Sequence, residues 1–336
     1  MTRLTENKIV LVTRPTRLAE LIARFNTAGQ ARFYVEHLGA DFSDYEREHE
    51  IYQAAIASVS ATLEMLGRVQ TLDRALLPNF LFGPEDTIVV LGQDGLVANT
   101  LKYLDGQPVL GVNPDPVRWD GQLLPFKTHD LAKIIPEVFR QTRPIKFVTM
   151  AKAELNNGQM LYAVNDLFIG PRSHTSARYT ITLGKQTEAQ SSSGVIVSTG
   201  LGSTGWLRSL LTGAAEIMRA TGTDRARGMQ DELNFNDGSQ QPRVSSPPKI
   251  RVTVRSEFDW DASYLRFTVR EPFPTRTTAA NLVCGRVASG QTLVLGSQMP
   301  EHGVIFSDGM ENDFLEFNSG TRAVIGIAEK KGCLVV

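Results

Sequence analysis

Cysteine is scarce: the 336 residues hold two, Cys284 and Cys333, far apart in the chain. That excludes a disulfide framework and a four-cysteine zinc site, and it fits a reducing compartment, the cytoplasm. Histidine is scarce as well. His37, His49, His129, His174 and His302 show no paired ligand spacing, so no zinc site is expected. Long apolar runs are missing, and nothing approaches the roughly 18 residues of a membrane span. The opening MTRLTENKIVLVT has neither the apolar core of a signal peptide nor an Arg/Ser-rich leader. An excess of one charge is missing too. The net charge is −1, which gives no electrostatic case for a nucleic-acid or membrane-surface partner.

What is present is ordinary globular material: 42% apolar and 21% charged residues, in a chain long enough for two domains. KIVLVT (8–13) has the pattern of a short buried strand. Pro15 opens a helix to about Asn26, with Leu18, Leu21, Ile22 and Phe25 on one face and Gly29 as a stop. Ile56, Val59, Leu63 and Leu66 recur at helical steps within a long helix over 44–66. Strands at 87–91 and 108–112 flank a short helix near 97–104. This alternation is the rhythm of a parallel sheet covered by helices.

From about Pro144 the runs become rich in Val, Ile, Tyr and Thr. Strands are expected at 146–151, 160–164, 179–183, 194–198 and 249–255, then at 265–269, 291–295, 303–307, 314–317 and 323–328. One helix, about 206–220, interrupts them. The expected fold class is therefore α/β: an N-terminal domain with a parallel sheet over 1–145, then a β-rich domain over 146–336. Residues 114–125 are turn-rich and expected to border a cleft. Residues 221–248 are poor in core formers and read as a mobile insert.

Four stretches have the composition of a site. Gly92-Gln93-Asp94-Gly95 follows an apolar strand and precedes a helix. Glycines there allow close backbone approach, and helix-start amides suit phosphate. A carboxylate beside phosphate serves as a general base or holds a metal, or else Asp94 merely caps the helix. Asn165-Asp166 is a polar pair inside an apolar stretch, able either to clasp ribose hydroxyls or to make an Asx turn. STGLGSTGW (198–206) joins a buried strand to a helix with small hydroxyl residues and glycines. It is a nest for phosphate or ribose oxygens, or a plain turn. Asp308-Gly309 reads as a hairpin turn.

In this order, the four resemble the ATP-dependent NAD kinase family, which carries G-G-D-G-[TN], G-V-N, an Asn-Glu pair, S-T-P-T-G-S-T-A-Y and a late Asp-Gly. The matching residues are Gly92–Leu96, Gly111-Val112-Asn113, Asn165-Asp166, Ser198–Trp206 and Asp308-Gly309. GVNPDPVRWDG (111–121), Ser192-Ser193-Gly194, Arg270-Glu271-Pro272 and Glu316-Phe317-Asn318 are closest to the mitochondrial-type branch. The resemblance implies NAD bound between the two domains. It implies Asp94 as general base for attack of the adenosine 2′-hydroxyl on the γ-phosphate of ATP, with Mg²⁺ arriving on the ATP. Gly92, Gln93, Gly95 and Leu96 would adjoin phosphate, and Asn113 would shape the pocket floor. Asn165 and Asp166 would hold ribose hydroxyls. Ser198, Thr199, Gly202, Ser203, Thr204 and Ser209 would line the nucleotide path. A homodimer making NADP is also implied.

Four departures bear on this. The second glycine of the first motif is Gln93, its final Thr or Asn is Leu96, the Asn-Glu glutamate is Asp166, and the Tyr of the third motif is Trp206. A side chain at Gln93 reduces φ freedom and close approach. A same-fold kinase for another hydroxyl (sugar, nucleoside or lipid) and a non-catalytic NAD or NADP-binding regulator therefore remain as alternatives.

Overall fold

The computed structural model describes residues 4–233 and 257–336. The first apolar run becomes β1 (Lys8–Thr13), buried from Ile9 onward. Thr16 then caps α1 (Arg17–Phe25), its hydroxyl accepting from the Ala19 amide at 3.2 Å. Helices α2 (Ala28–His37) and α3 (Ser43–Leu66) follow. The first half continues with β2 (Arg68–Asp73), β3 (Thr87–Leu91), α4 (Asp94–Leu101), β4 (Pro108–Asn113), the two-residue β5 (Phe126–Lys127) and α5 (Leu131–Phe139).

Strands β2, β1, β3 and β4 are parallel neighbours in that order. Ile9, Leu11, Val89 and Leu91 face Tyr52, Val59 and Leu63 of α3 and Leu131 and Ile135 of α5. The alternate residues Val10, Val12, Ile88 and Val90 face Val97 and Leu101 of α4. Both faces are covered, so these strands read as continuous apolar runs. The strand order reverses beside β1, with β2 on one side and β3 and β4 on the other. In open α/β sheets, ligands sit outside the carboxyl ends of strands at such a reversal.

The second half begins with β6 (Ile145–Leu155), β7 (Met160–Ala163), β8 (Asp166–Pro171), β9 (Ala177–Leu183), β10 (Gln186–Ser192) and β11 (Val195–Ser198). Helix α6 (Trp206–Leu233) comes next. Then follow β12 (Tyr264–Val269), β13 (Cys284–Ala288), β14 (Leu293–Ser297), β15 (Gly303–Ser307), β16 (Met310–Glu316) and β17 (Arg322–Val335). An antiparallel sheet runs β13-β12-β11-β8-β15-β16. Its inner residues Leu167, Ile169, Val197 and Ile305 pack on Ala153, Ile181, Leu295 and Ile325 of the first sheet. β17 pairs antiparallel with β6 and β14, shifts register between Ile327 and Lys331, and ends parallel to β4 through Cys333 and Leu334. One strand thus joins the β-rich half to the parallel sheet.

The α/β-then-β architecture expected from the sequence is the one observed. Several elements differ from expectation. α2 lies where Gly29 was read as a stop, and β2, α5, β8, β10 and β13 were not expected. β2 (RVQTLD) is an edge strand with mostly exposed side chains, so it lacks an apolar run. α4 starts at Asp94, not near Val97. α6 continues to Leu233, into the stretch read as an insert. The remainder of that stretch (234–248) and the strand expected at 249–255 lie outside the described residues.

Candidate functional site

Gly92 leaves β3 at its carboxyl end, its amide donating to the Val112 carbonyl at 3.3 Å. Gln93 then precedes α4 with φ −101° and ψ 162°. That is extended backbone open to any side chain, so the lost glycine costs no strain here. Gly95 is exposed at the mouth of the turn. Leu96 turns inward, 6% exposed, into the core shared with Val164 and Leu201. The side chain that replaces the motif's Thr or Asn is thus a core side chain.

Asp94 is the first residue of α4 and half-buried. Its carboxylate accepts from the Leu123 amide at 2.8 Å and the Gln122 amide at 3.1 Å. It therefore does not cap its own helix; it ties the β3–α4 turn to the loop after β4. Asn113 folds that loop: its Nδ2 donates to the Trp119 carbonyl at 2.8 Å and its Oδ1 accepts from the Asp115 amide at 3.0 Å. Gly111 permits the close lie of the loop, because a methyl there would come within 1.8 Å of the Leu123 carbonyl oxygen.

At the neighbouring end of β1, the Tyr52 hydroxyl donates to the Leu91 carbonyl at 2.7 Å and accepts from the Arg14 amide at 3.0 Å. A chain of charges borders this edge. Arg14 pairs with buried Glu48 at 3.0 Å, Glu48 with Arg17 at 2.5 Å, and Asp44 with Arg17 and Arg118 at 2.8 Å each. Hydrogen bonds from Arg118 first, and from Arg17, hold the Asp44 carboxyl down at about 2. Sequence reasoning passed over Arg14 and Arg17, although Arg-Pro-Thr-Arg directly follows a buried strand.

The second cluster lies where β7 meets β8. Asn165, Asp166, Gly202, Thr204, Trp206 and Asp308 line one cleft of about 320 Å³. Asp308 sits in the β15–β16 turn at φ 54°, followed by Gly309 at φ 69°, the hairpin geometry expected for Asp-Gly. The turn is half-open to solvent, but the Asp308 carboxylate points inward. It accepts from the amides of Asn165 at 2.6 Å and Val164 at 3.0 Å. Burial raises its affinity for a proton, against the charge of Lys102 and those amides. Asp166 is 9% exposed, and burial first, then the Asp308 charge, push its carboxyl up to about 7. The sequence shows Asp166 in a polar pair suited to ribose hydroxyls and Asp308 in a hairpin turn, with no local sign that the two carboxylates belong to one cleft.

Lys102 was missed altogether. It follows α4, is 2% exposed, and reaches Ser307 Oγ at 2.9 Å and Asp313 Oδ2 at 2.5 Å. A fully buried lysine is rare and is paired where it occurs.

The hydroxyl-rich loop divides. Ser198, Thr199 and Ser203 are buried, and their hydroxyls bind the fold itself. Thr199 Oγ1 donates to the Val164 carbonyl at 2.5 Å, Ser203 Oγ to Gly200 at 2.6 Å, and Ser198 Oγ to Thr199 at 3.1 Å. Thr204 is exposed at the cleft, while exposed Ser209 donates to the Gly205 carbonyl at 3.3 Å. Trp206 stacks on Phe168, with ring centroids 5.6 Å apart, and Arg270 lies over the indole at 5.2 Å. Leu201 and Leu96 share one apolar cluster, which brings the first and third motifs together.

No family model and no curated protein matches the chain. Solved structures do. A yeast NADH kinase crystallised with NADH aligns over 99% of this chain and 84% of its own, at 13% identity and a TM-score of 0.54. An NAD kinase from Archaeoglobus fulgidus in complex with ATP aligns over 98% and 93%, at 13% identity and a TM-score of 0.50. The chain has the two-part α/β and β-sandwich fold of the NAD(H) kinases.

Proposed function

We propose that the protein is a kinase that transfers the γ-phosphate of ATP to the 2′-hydroxyl of the adenosine ribose of NAD, yielding NADP and ADP. The observation that carries this reading is the placement of Asp94. In a chain with this fold, its carboxylate stands at the carboxyl end of β3, beside the reversal of strand order, fixed by two amides. An anchored carboxylate with lone pairs to spare suits a general base.

In the reaction, Asp94 takes the 2′-hydroxyl proton. A bond forms between that oxygen and the γ-phosphorus as the bond to the bridging β–γ oxygen breaks, and ADP leaves. Phosphoryl transfer of this kind asks the protein mainly for position and charge balance. Gly92, Gln93 and Gly95 present backbone to the phosphates, and Leu96 holds the turn from below. Asn113 sets the loop that anchors Asp94. Asn165 and Asp166 hold ribose hydroxyls, and Gly202, Thr204 and Ser209 border the nucleotide, with Ser198, Thr199 and Ser203 shaping the loop beneath. Among the described residues no cluster of three or more His, Cys, Asp or Glu is placed to hold a metal. Mg²⁺, as the family resemblance implies, would arrive on the ATP, held by phosphate oxygens and water.

The finer parts of the proposal are relatedness to the mitochondrial-type branch, a division near residue 145 with the nucleotide between the parts, a homodimer and a cytoplasmic setting. No helix among the described residues is long and apolar enough to cross a membrane. The test is incubation with Mg-ATP and NAD, followed by assay of NADP with an NADP-specific dehydrogenase. NADP above the ATP-free control supports the reading. No NADP, with thermal stabilisation by another polyol, replaces the acceptor, and NAD binding without ADP release makes the protein a binder.

A further inference from the structure

The buried charge at Lys102 has no part in the chemistry above. Its helix is docked at both ends. Asp94 ties the start of α4 to the loop after β4, and Lys102, just past its end, enters the β15–β16 hairpin. Asp313 Oδ2 accepts from Lys102 and also from the Tyr103 hydroxyl at 2.6 Å. The Lys330 ammonium donates to the Lys102 carbonyl at 3.0 Å. Ser307, which Lys102 holds, immediately precedes Asp308, and Asp308 accepts from the amides of Val164 and Asn165.

We propose that Lys102 is the positioning residue of the Asp166–Asp308 pair: it locks the hairpin turn that presents Asp308 and couples that turn to the helix begun by Asp94. The proposal rests on the reading that this cleft holds the acceptor ribose, but the geometry it invokes does not depend on which nucleotide binds.

The coupling is electrostatic as well as mechanical. The Asp308 amide donates to the Asp166 carbonyl at 3.0 Å, and the Asp308 charge acts on the Asp166 carboxyl, so the two titrate as a pair. Lys102 supplies the positive charge facing Asp308, and Asp308 supplies the negative charge facing Asp166. Around Lys102 stand Asp313, which it pairs with, Tyr103, which shares Asp313 and feels the Asp308 charge, and Lys330 on the Lys102 carbonyl, while Arg270 lies over Trp206, which lines the cleft. Removing the Lys102 charge lets Asp308 keep its proton to higher pH. Asp166, freed of a charged neighbour, then releases its own at lower pH. Simple loosening and hydration of the site would instead move both carboxyls down toward ordinary values.

The experiment is carboxyl ¹³C NMR of aspartate-labelled protein through a pH titration, without nucleotide, in the wild type and in Lys102→Met. Asp166→Asn and Asp308→Asn assign the signals. The expected result is two midpoints moving in opposite directions, each by about tenfold in proton affinity. Unchanged midpoints, or both moving down, overturn the proposal. If Lys102→Met fails to fold, the wild-type Lys102 ¹³Cε signal decides. A step in it at the midpoints of the acidic pair supports the coupling, and a flat response overturns it. Opposite shifts in a protein that makes no NADP would leave the role of Lys102 standing and remove the kinase reading.

Discussion

The carbonyl oxygen of Asn165 lies so close to Gly202 that a methyl on Gly202 would come within 2.0 Å of it. The loop carrying Thr199 to Trp206 and the turn carrying Asn165-Asp166 are thus fitted backbone to backbone. Thr199 adds amide and hydroxyl bonds to the same carbonyl at 2.9 and 3.1 Å. Gly202→Ala is expected to destabilise the protein by more than about 2 kcal/mol, because backbone and not a flexible side chain has to move. Denaturant unfolding checks this. A variant as stable as the wild type contradicts the contact.

Gly111→Ala acts at the other motif. Its methyl would meet the Leu123 carbonyl at 1.8 Å, so the loop that anchors Asp94 has to lift. NADP formation is expected to fall by roughly a hundredfold, as for a small misplacement of a reacting group. NAD affinity is expected to fall less. Equal loss of both, or of neither, would dissociate the loop from the position of Asp94.

Tyr52→Phe removes the hydroxyl that joins the ends of β1 and β3, leaving the Leu91 carbonyl and Arg14 amide short of a partner. The expected loss is about 1–3 kcal/mol of stability, read from the unfolding midpoint. A neutral effect would mean that water replaces the phenol.

Asp166 predicts a pH dependence of stability. Its carboxyl is pushed up from 3.8 to about 7, so the folded protein holds a proton that the unfolded chain releases. That contribution is fully present below the unfolded value and is lost as pH rises through the folded one. Between about pH 5 and pH 8 the wild type is expected to lose stability that Asp166→Asn keeps, on the order of 3 kcal/mol at most. Parallel melting curves for the two proteins across that range would contradict the assignment.

The sequence disclosed what local pattern controls. β1, β3 and β4 are buried on both faces and announce themselves as apolar runs, and α3 shows its stripe through Val59 and Leu63. The motif loops were found because Gly, Asn and Asp cluster at strand ends. What stayed hidden is non-local. Asp308 gave the hairpin turn it forms, but nothing adjacent showed that its carboxylate reaches back to Asn165. Lys102 looked like an ordinary lysine after a helix, since its partners Ser307 and Asp313 lie some two hundred residues away. Ser198, Thr199 and Ser203 looked like ligand-facing hydroxyls because composition does not reveal which way a side chain points. The apolar pattern shows β17 only over 323–328, because Glu329, Lys330 and Lys331 interrupt it at the register shift.

Asp94 taking the ribose proton is the step on which the reaction turns. The direct measurement compares NADP formation from Mg-ATP and NAD by the wild type and by Asp94→Asn, with NAD affinity measured on both proteins by calorimetry. NADP is expected from the wild type, with a loss of at least about a hundredfold in kcat for the variant and NAD affinity within a few-fold. Undiminished turnover by Asp94→Asn would contradict that step.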